Sequence, residues 1–375
     1  MKSAILDDSK KFKALDKSGM LDFCLNSSKI YSEAAKLSAN IQLRYPKPDN
    51  IIVAGMGGSG IGGDLLKDWA RNKINVPIEV SRDYHLPEYA GKKTLVLLTS
   101  YSGDTEESLS AYLDALKRGC MIFCVSSGGS LLESAEKLNV PYLRVPGGMP
   151  PRAALPYLFT PLILSLEKMG LVSGASEELD EAMMLLNKIS TDNEFERPIN
   201  ENFAKGLALN ISKTAPTIYG FGIYRGVAQR FKQQFNENAK VPAKWEVFSE
   251  LNHNETVGWQ KAGKLAKRFT VILLRDKEEP IEIRSRIEIT KELMEQEGLC
   301  MYEVQVQGKS TLAKMLSTIL VGDFTSVYLA ALRGVDPTPV KTINYLKDTL
   351  NQNGFREKVV SELKASAARL PSSGH

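Results

Sequence analysis

Histidine, cysteine and tryptophan are scarce in this chain, with three, four and three residues among 375. The cysteines, Cys24, Cys120, Cys124 and Cys300, form no paired CxxC spacing. With so few histidines beside them a structural zinc site has little to draw on, so no metal is expected and the thiols are expected to be buried and reduced. Charge of one sign is not in excess either. Lysine and arginine number 48 against 44 acidic residues, and the basic ones fall in scattered pairs such as Lys10-Lys11 and Lys92-Lys93. That pattern makes no nucleic-acid-binding stripe. No uncharged apolar run approaches the length of a membrane span, and the opening MKSAILDDSKKFKALDKSG carries charges where a signal peptide needs its apolar core. These absences point to a cytoplasmic protein with neither a nucleic-acid nor a membrane partner.

What is present is a globular composition, 43% hydrophobic and 25% charged, over a length suited to two α/β domains. After helical spacing between Met20 and Leu43, an apolar strand is predicted at Ile51–Gly57, then a helix over Ile61–Arg71. Strands at Ile78–Ser81, Thr94–Ser100 and Met121–Ser127 follow, with a helix over Thr105–Arg118. Near-continuous apolar strands alternating with helices mean a parallel sheet covered on both faces. A polar stretch over Val172–Ala204 is read as the connection. A second cycle follows, with strands at Thr217–Gly222, Phe269–Asp276 and Cys300–Gln307 and helices over Tyr224–Asn236, Ile283–Glu297 and Thr311–Arg333. The division expected is 1–185, 200–350 and a C-terminal helix with a frayed tail over 351–375. Two similar units in series suggest a duplicated fold, although no residue-level repeat is visible.

Two loops carry the chemistry. Gly55-Met56-Gly57-Gly58-Ser59-Gly60 sits where a buried strand meets a helix, and glycine there lets backbone N–H groups approach an anion at the positive helix end. The same run satisfies GxGxxG, and Glu79 stands where a ribose-binding acid of a dinucleotide site would be sought. A dinucleotide, a phosphate and a plain tight turn are all compatible with it. The second loop, Ser100-Tyr101-Ser102-Gly103-Asp104-Thr105, sets hydroxyls around the start of another helix. Such a turn holds a phosphate monoester without a lysine, unless its hydroxyls are used up as helix caps.

Together GGSG and SYSGDTEES resemble the sugar-isomerase (SIS) domain, whose serine and threonine loop holds the phosphate of a phosphosugar. The stretches Pro151–Tyr157, Phe235–Lys240, Leu251–Glu255, Val335–Val340 and Ile343–Lys347 are similar, in order, to the bifunctional phosphoglucose/phosphomannose isomerases. The resemblance implies two SIS-type domains of flavodoxin-like, three-layer α/β fold and a homodimer. It also implies interconversion of glucose 6-phosphate, and of mannose 6-phosphate, with fructose 6-phosphate, a step of glycolysis and gluconeogenesis. Phosphate and substrate binding would fall to Gly57, Gly58, Ser59, Ser100, Ser102 and Thr105.

The reaction needs ring opening, proton removal beside the carbonyl and return of that proton one carbon over through a cis-enediol(ate). It asks for no cofactor. By resemblance Glu237 is the base, His253 opens the ring from the neighbouring subunit, and Arg152 offers fixed positive charge to the enediolate. His85 is the rival histidine, read as a satisfied structural residue. Ile343, Leu346 and Leu350 define an apolar stripe that would turn Lys347 inward as a sugar or ring-opening contact, with Lys341 as the alternative. The family's threonine for mannose stereochemistry falls at Val340, between Thr338 and Thr342, which bears on mannose 6-phosphate activity. Two other classes compete: a non-catalytic phosphosugar sensor, which would need neither Glu237 nor His253, and a nicotinamide dehydrogenase, which would leave the Ser100–Thr105 loop without a purpose.

Overall fold

The computed structural model describes residues 3–368; the LPSSGH tail expected to fray lies outside them. The chain opens with helices α1 (Ser9–Leu15), α2 (Met20–Leu25) and α3 (Ser27–Ser38). A first alternation follows: β1 (Asn50–Ala54), α4 (Gly57–Ala70), β2 (Ile78–Ser81), β3 (Thr94–Thr99), α5 (Glu106–Lys117), β4 (Met121–Ser126), α6 (Gly129–Lys137), β5 (Tyr142–Arg144) and α7 (Leu155–Lys168). After α8 (Ala175–Asp192) and α9 (Phe203–Ile211) comes a second: β6 (Ala215–Phe221), α10 (Arg225–Glu237), β7 (Lys244–Phe248), α11 (Glu255–Gly258), β8 (Phe269–Arg275), α12 (Ile281–Gln296), β9 (Cys300–Gln305) and α13 (Thr311–Arg333). Helices α14 (Lys341–Asn351) and α15 (Phe355–Ala368) complete the described chain.

Contacts group these elements into two compact units, Ile30–Ser176 with Val340–His375 and Met1–Lys29 with Glu177–Pro339. This differs at both ends from the contiguous division expected. Apolar contact decides each end. Val359 and Leu363 of α15 join the core formed by α5 and α6, and Phe12 of α1 packs its ring 4.7 Å from Phe195 and 6.0 Å from Tyr328.

In the unit built on residues 30–176, five parallel strands lie in the order β2-β1-β3-β4-β5. Period-two alternation divides each central strand between two faces. Ile52, Ala54, Val96, Leu98, Ile122 and Cys124 point to the core lined by α5, α6 and α15. The opposite face meets α4 and α7, and Gly63 of α4 lies close against Val53 and Val80. Burial on both faces is what made these strands legible as unbroken apolar runs.

The other unit has four parallel strands in the order β7-β6-β8-β9, the same order as β2-β1-β3-β4. Its register supplies the repeat that the sequence did not reveal. Ala54 pairs with Leu98 as Tyr219 pairs with Leu273, which superposes Gly55 on Gly220 and Gly57 on Gly222. Both Gly57 and Gly222 are left-handed, at φ +52° and +49°. Helix α13 is, among the described residues, the one helix long and apolar enough to cross a membrane, but 94% of its apolar window is buried. It is a core helix of this unit.

Candidate active site

In the five-stranded sheet the connections leave β1 and β3 toward opposite edges, so the crevice at the carboxyl ends of these two strands is a topological switch point. Both candidate loops are there. Helix α4 starts at Gly57 itself, four residues earlier than expected. The amides of Ser59 and Gly60 bond back to Met56 O at 2.9 and 3.0 Å, which leaves those of Gly57 and Gly58 ahead of the first helical bond. On the neighbouring strand Thr105 is the N-cap of α5, yet its hydroxyl makes no capping bond. It lies 3.3 Å from the buried Ser100 Oγ, while the Gly103 amide donates to Ser100 Oγ at 3.2 Å. The capping alternative for Thr105 therefore falls. Two hydroxyls and two helix amino ends thus lie at the carboxyl ends of neighbouring strands, with Ser102 exposed beside them, and helix amino ends favour an anion.

The Gly55–Gly60 and Ser100–Thr105 loops are joined to each other and to Arg152. Ser59 Oγ accepts the Tyr101 amide at 3.1 Å. Arg152, in the 3-10 turn Pro151–Ala154, is 1% exposed, and its backbone lies against the glycine loop. A Cβ on Gly58 would stand 3.0 Å from Arg152 N and 3.1 Å from its Cα. Only a residue without a side chain lets the two segments approach this closely.

Glu237 and His253 lie in the other unit. Glu237 is the last residue of α10, half-buried between two fixed asparagines. Asn236 Oδ1 accepts the Ala243 amide at 3.1 Å, and Asn238 Nδ2 donates to Ser326 Oγ at 2.9 Å. Lys240, held left-handed at φ +54°, donates from Nζ to the carbonyls of Glu237 (2.7 Å), Asn238 (3.3 Å) and Pro337 (2.8 Å). One ammonium thus satisfies the carbonyl end of the helix that presents the carboxylate.

His253 is exposed, in a 3-10 turn (Glu250–His253) just beyond the carboxyl end of β7. Helix α10 returns from the carboxyl end of β6 to the amino end of its parallel neighbour β7, so Glu237 and His253 lie at opposite ends of this sheet. The five residues of β7 alone rise roughly 16 Å. Within one chain, then, the proposed base and the proposed ring-opening histidine are not brought together.

Residues 200–350 match the family model of the bacterial phospho-glucose isomerase C-terminal SIS domain. A bifunctional phosphoglucose/phosphomannose isomerase from Caldicellulosiruptor bescii is 40% identical over 86% of this chain and 95% of its own. One from Thermoplasma acidophilum is 36% identical over 80% and 90%. This chain belongs to the bifunctional phosphoglucose/phosphomannose isomerase family. The fold agrees: the C-terminal domain of glucosamine-fructose-6-phosphate aminotransferase from Francisella tularensis superposes with a TM-score of 0.64, covering 85% of this chain and 98% of that one at 16% identity.

As a bifunctional phosphoglucose/phosphomannose isomerase family member the chain departs from several expectations. Lys347 does not point inward, because α14 has no buried residue: of its apolar stripe Ile343 and Leu346 are 39% and 58% exposed and Leu350 is half-buried, and Lys341 and Lys347 are exposed. Val340 is the N-cap of α14, a position that favours a hydroxyl, and it makes no side-chain cap. His85 is exposed rather than satisfied in a core. Glu79 sits early in β2, with its carboxylate accepting from Tyr89 Oη at 2.6 Å. The residue after that strand is Arg82, paired with Asp64. Cys24 and Cys124 are buried, and burial pushes both thiols up. Cys300, on the edge strand β9, is exposed instead.

Proposed function

We propose that this protein interconverts glucose 6-phosphate, and mannose 6-phosphate, with fructose 6-phosphate through a cis-enediol(ate). The observation that carries the reading is the uncapped hydroxyl of Thr105 beside Ser100, at the switch point and in the same unit as the buried Arg152. This arrangement suits a phosphate on one end of a substrate and a developing oxyanion near the other. Glu237 removes and returns the proton between C1 and C2. Loss of the C2 proton erases the difference between the two aldoses, so rotation about C2–C3 lets one base serve both. Arg152 stabilises the enediolate, His253 moves the proton between ring oxygen and O1, and Lys347 contacts the sugar.

A homodimer that shares His253 across its interface fits the separation of His253 from Glu237 along β7. Val257, Ile281 and Ile289, in the same unit as His253, are 60%, 65% and 57% exposed and available to a second copy. Four free cysteines suit a reducing compartment, and we place the enzyme in the cytoplasm.

The test is fructose 6-phosphate formation from each aldose phosphate, with EDTA present, for wild type and Glu237→Gln. Activity on both sugars that falls roughly 10²- to 10⁴-fold in kcat in the variant is expected. Binding without turnover by the wild type would make the protein a phosphosugar sensor. Mixing inactive Glu237→Gln and His253→Gln subunits should restore activity, and a mixture that stays inactive would refute the shared site.

A further inference from the structure

The arm that delivers Arg152 is poorly built to hold still. After the buried Val145, whose amide donates to Ser126 O at 2.9 Å, it reads Pro146-Gly147-Gly148-Met149-Pro150 up to the 3-10 turn, with Pro146, Gly147 and Gly148 exposed and Gly148 at φ +88°. Among the described residues, the hydrogen bonds made by Pro146 through Met149 both go to one group, the Tyr101 hydroxyl. It donates to Pro146 O at 2.8 Å and accepts the Met149 amide at 3.1 Å. The side chain is 5% exposed, and burial raises the phenol above its ordinary value, which keeps it protonated and able to donate.

Tyr101 belongs to the hydroxyl loop. Its amide donates to Ser59 Oγ at 3.1 Å, and its carbonyl accepts from Ser127 Oγ at 2.6 Å and the Ser127 amide at 3.0 Å. The backbone of this residue therefore joins the Gly55–Gly60 and Ser100–Thr105 loops, while its side chain fastens the arm leading to Arg152. Gly58 meets the Arg152 backbone from the other side.

We propose that Tyr101 is a positioning residue that acts through Arg152, setting the guanidinium at a fixed distance from the phosphate end of the substrate. The inference rests on the isomerase reading and on the role given there to Arg152. A phosphate is gripped by backbone and hydroxyls that the phenol oxygen does not touch. The enediolate exists only along the reaction path, so a displaced Arg152 costs turnover rather than substrate binding.

The experiment is a double-mutant cycle on the full chain with Tyr101→Phe, Arg152→Ala and the pair, reading kcat and KM for glucose 6-phosphate and the inhibition constant of inorganic phosphate. Tyr101→Phe keeps the ring in place and removes both bonds to the arm. The expected result is a fall in kcat of about tenfold, with KM and phosphate inhibition within about twofold, and no further fall when Tyr101→Phe is added to Arg152→Ala. Equal losses in both backgrounds, or a Tyr101→Phe protein that loses phosphate inhibition along with turnover, would overturn the proposal. If Arg152→Ala leaves kcat intact, the role of Arg152 itself fails and the inference with it. If Arg152→Ala is crippled while Tyr101→Phe is not, the inference about Tyr101 fails alone.

Discussion

The loops after β3 and β8 occupy the same place in two sheets of the same strand order and carry opposite chemistry. The register that pairs Ala54 with Leu98 and Tyr219 with Leu273 sets Ser100 in the place of Arg275. On one sheet the position holds a buried hydroxyl facing the uncapped hydroxyl of Thr105. On the other, the guanidinium fills its surroundings with protein: Arg275 binds Glu279 through two nitrogens at 2.6 and 3.2 Å, Glu288 at 2.7 Å and Glu303 at 2.9 Å. These carboxylates hold the Arg275 guanidinium above its ordinary value. Nearby, Tyr224 donates to Asp276, which also pairs with Lys314 at 3.0 Å. A strand end that could cradle an anion has been closed by internal ion pairs. One copy of the fold leaves hydroxyls at the strand end, and the other fills the same place with internal ion pairs.

Substitutions can break that contrast. The largest effect is expected from Arg275→Met, which leaves the nearly buried Glu279 carboxylate, 2% exposed, without its main cation. A loss of about 3 kcal/mol follows from removing one partner of a buried pair. Thermal unfolding should shift down by several degrees while KM for either sugar phosphate stays put; a large rise in KM would mean the β8 loop meets substrate after all. Ser100→Ala should behave in the opposite way. Loss of a hydroxyl donor to a charged phosphate costs roughly 1.5–3 kcal/mol, so KM should rise on the order of tenfold or more with little change in the melting temperature. An unaltered KM would remove Ser100 from the phosphate site.

The smallest change is expected at a third helix start. Val340→Thr supplies the N-cap hydroxyl that α14 lacks, and a hydroxyl used only by the helix would stabilise it by about 1 kcal/mol without altering specificity. A hydroxyl that meets sugar would raise mannose 6-phosphate turnover a few-fold relative to glucose 6-phosphate. The ratio of the two rates distinguishes these outcomes.

The central strands and the helices between them were legible because burial on both faces writes an unbroken apolar signal, and α13 was located to the residue. The edge strands β5 and β7 were not. Tyr142–Arg144 and Lys244–Phe248 are half-exposed and mix charge with apolar side chains, so neither period stands out. The two loops at the switch point were placed from local composition, since glycines and hydroxyls at strand ends stand out, while a phosphate role for them came by resemblance. Glu237, His253 and Arg152 were singled out only by resemblance. A carboxylate at a helix end looks like any solvated residue until the asparagines and Lys240 around it are seen. Lys347 was expected to face inward, and within one chain it does not, because an apolar stripe shows that a helix has a face to cover and not what covers it.

Gly222 keeps its left-handed backbone in the sheet whose strand end is filled by Arg275 and Glu279, just as Gly57 does in the sheet that carries the Ser100–Thr105 hydroxyls. The shared feature outlives the difference in ligand chemistry, so the strand-to-helix turn itself demands it. As a diagnostic, a glycine at this place reports topology. The hydroxyls one strand over report the ligand, and a search for active members among duplicated folds of this kind would weight those first.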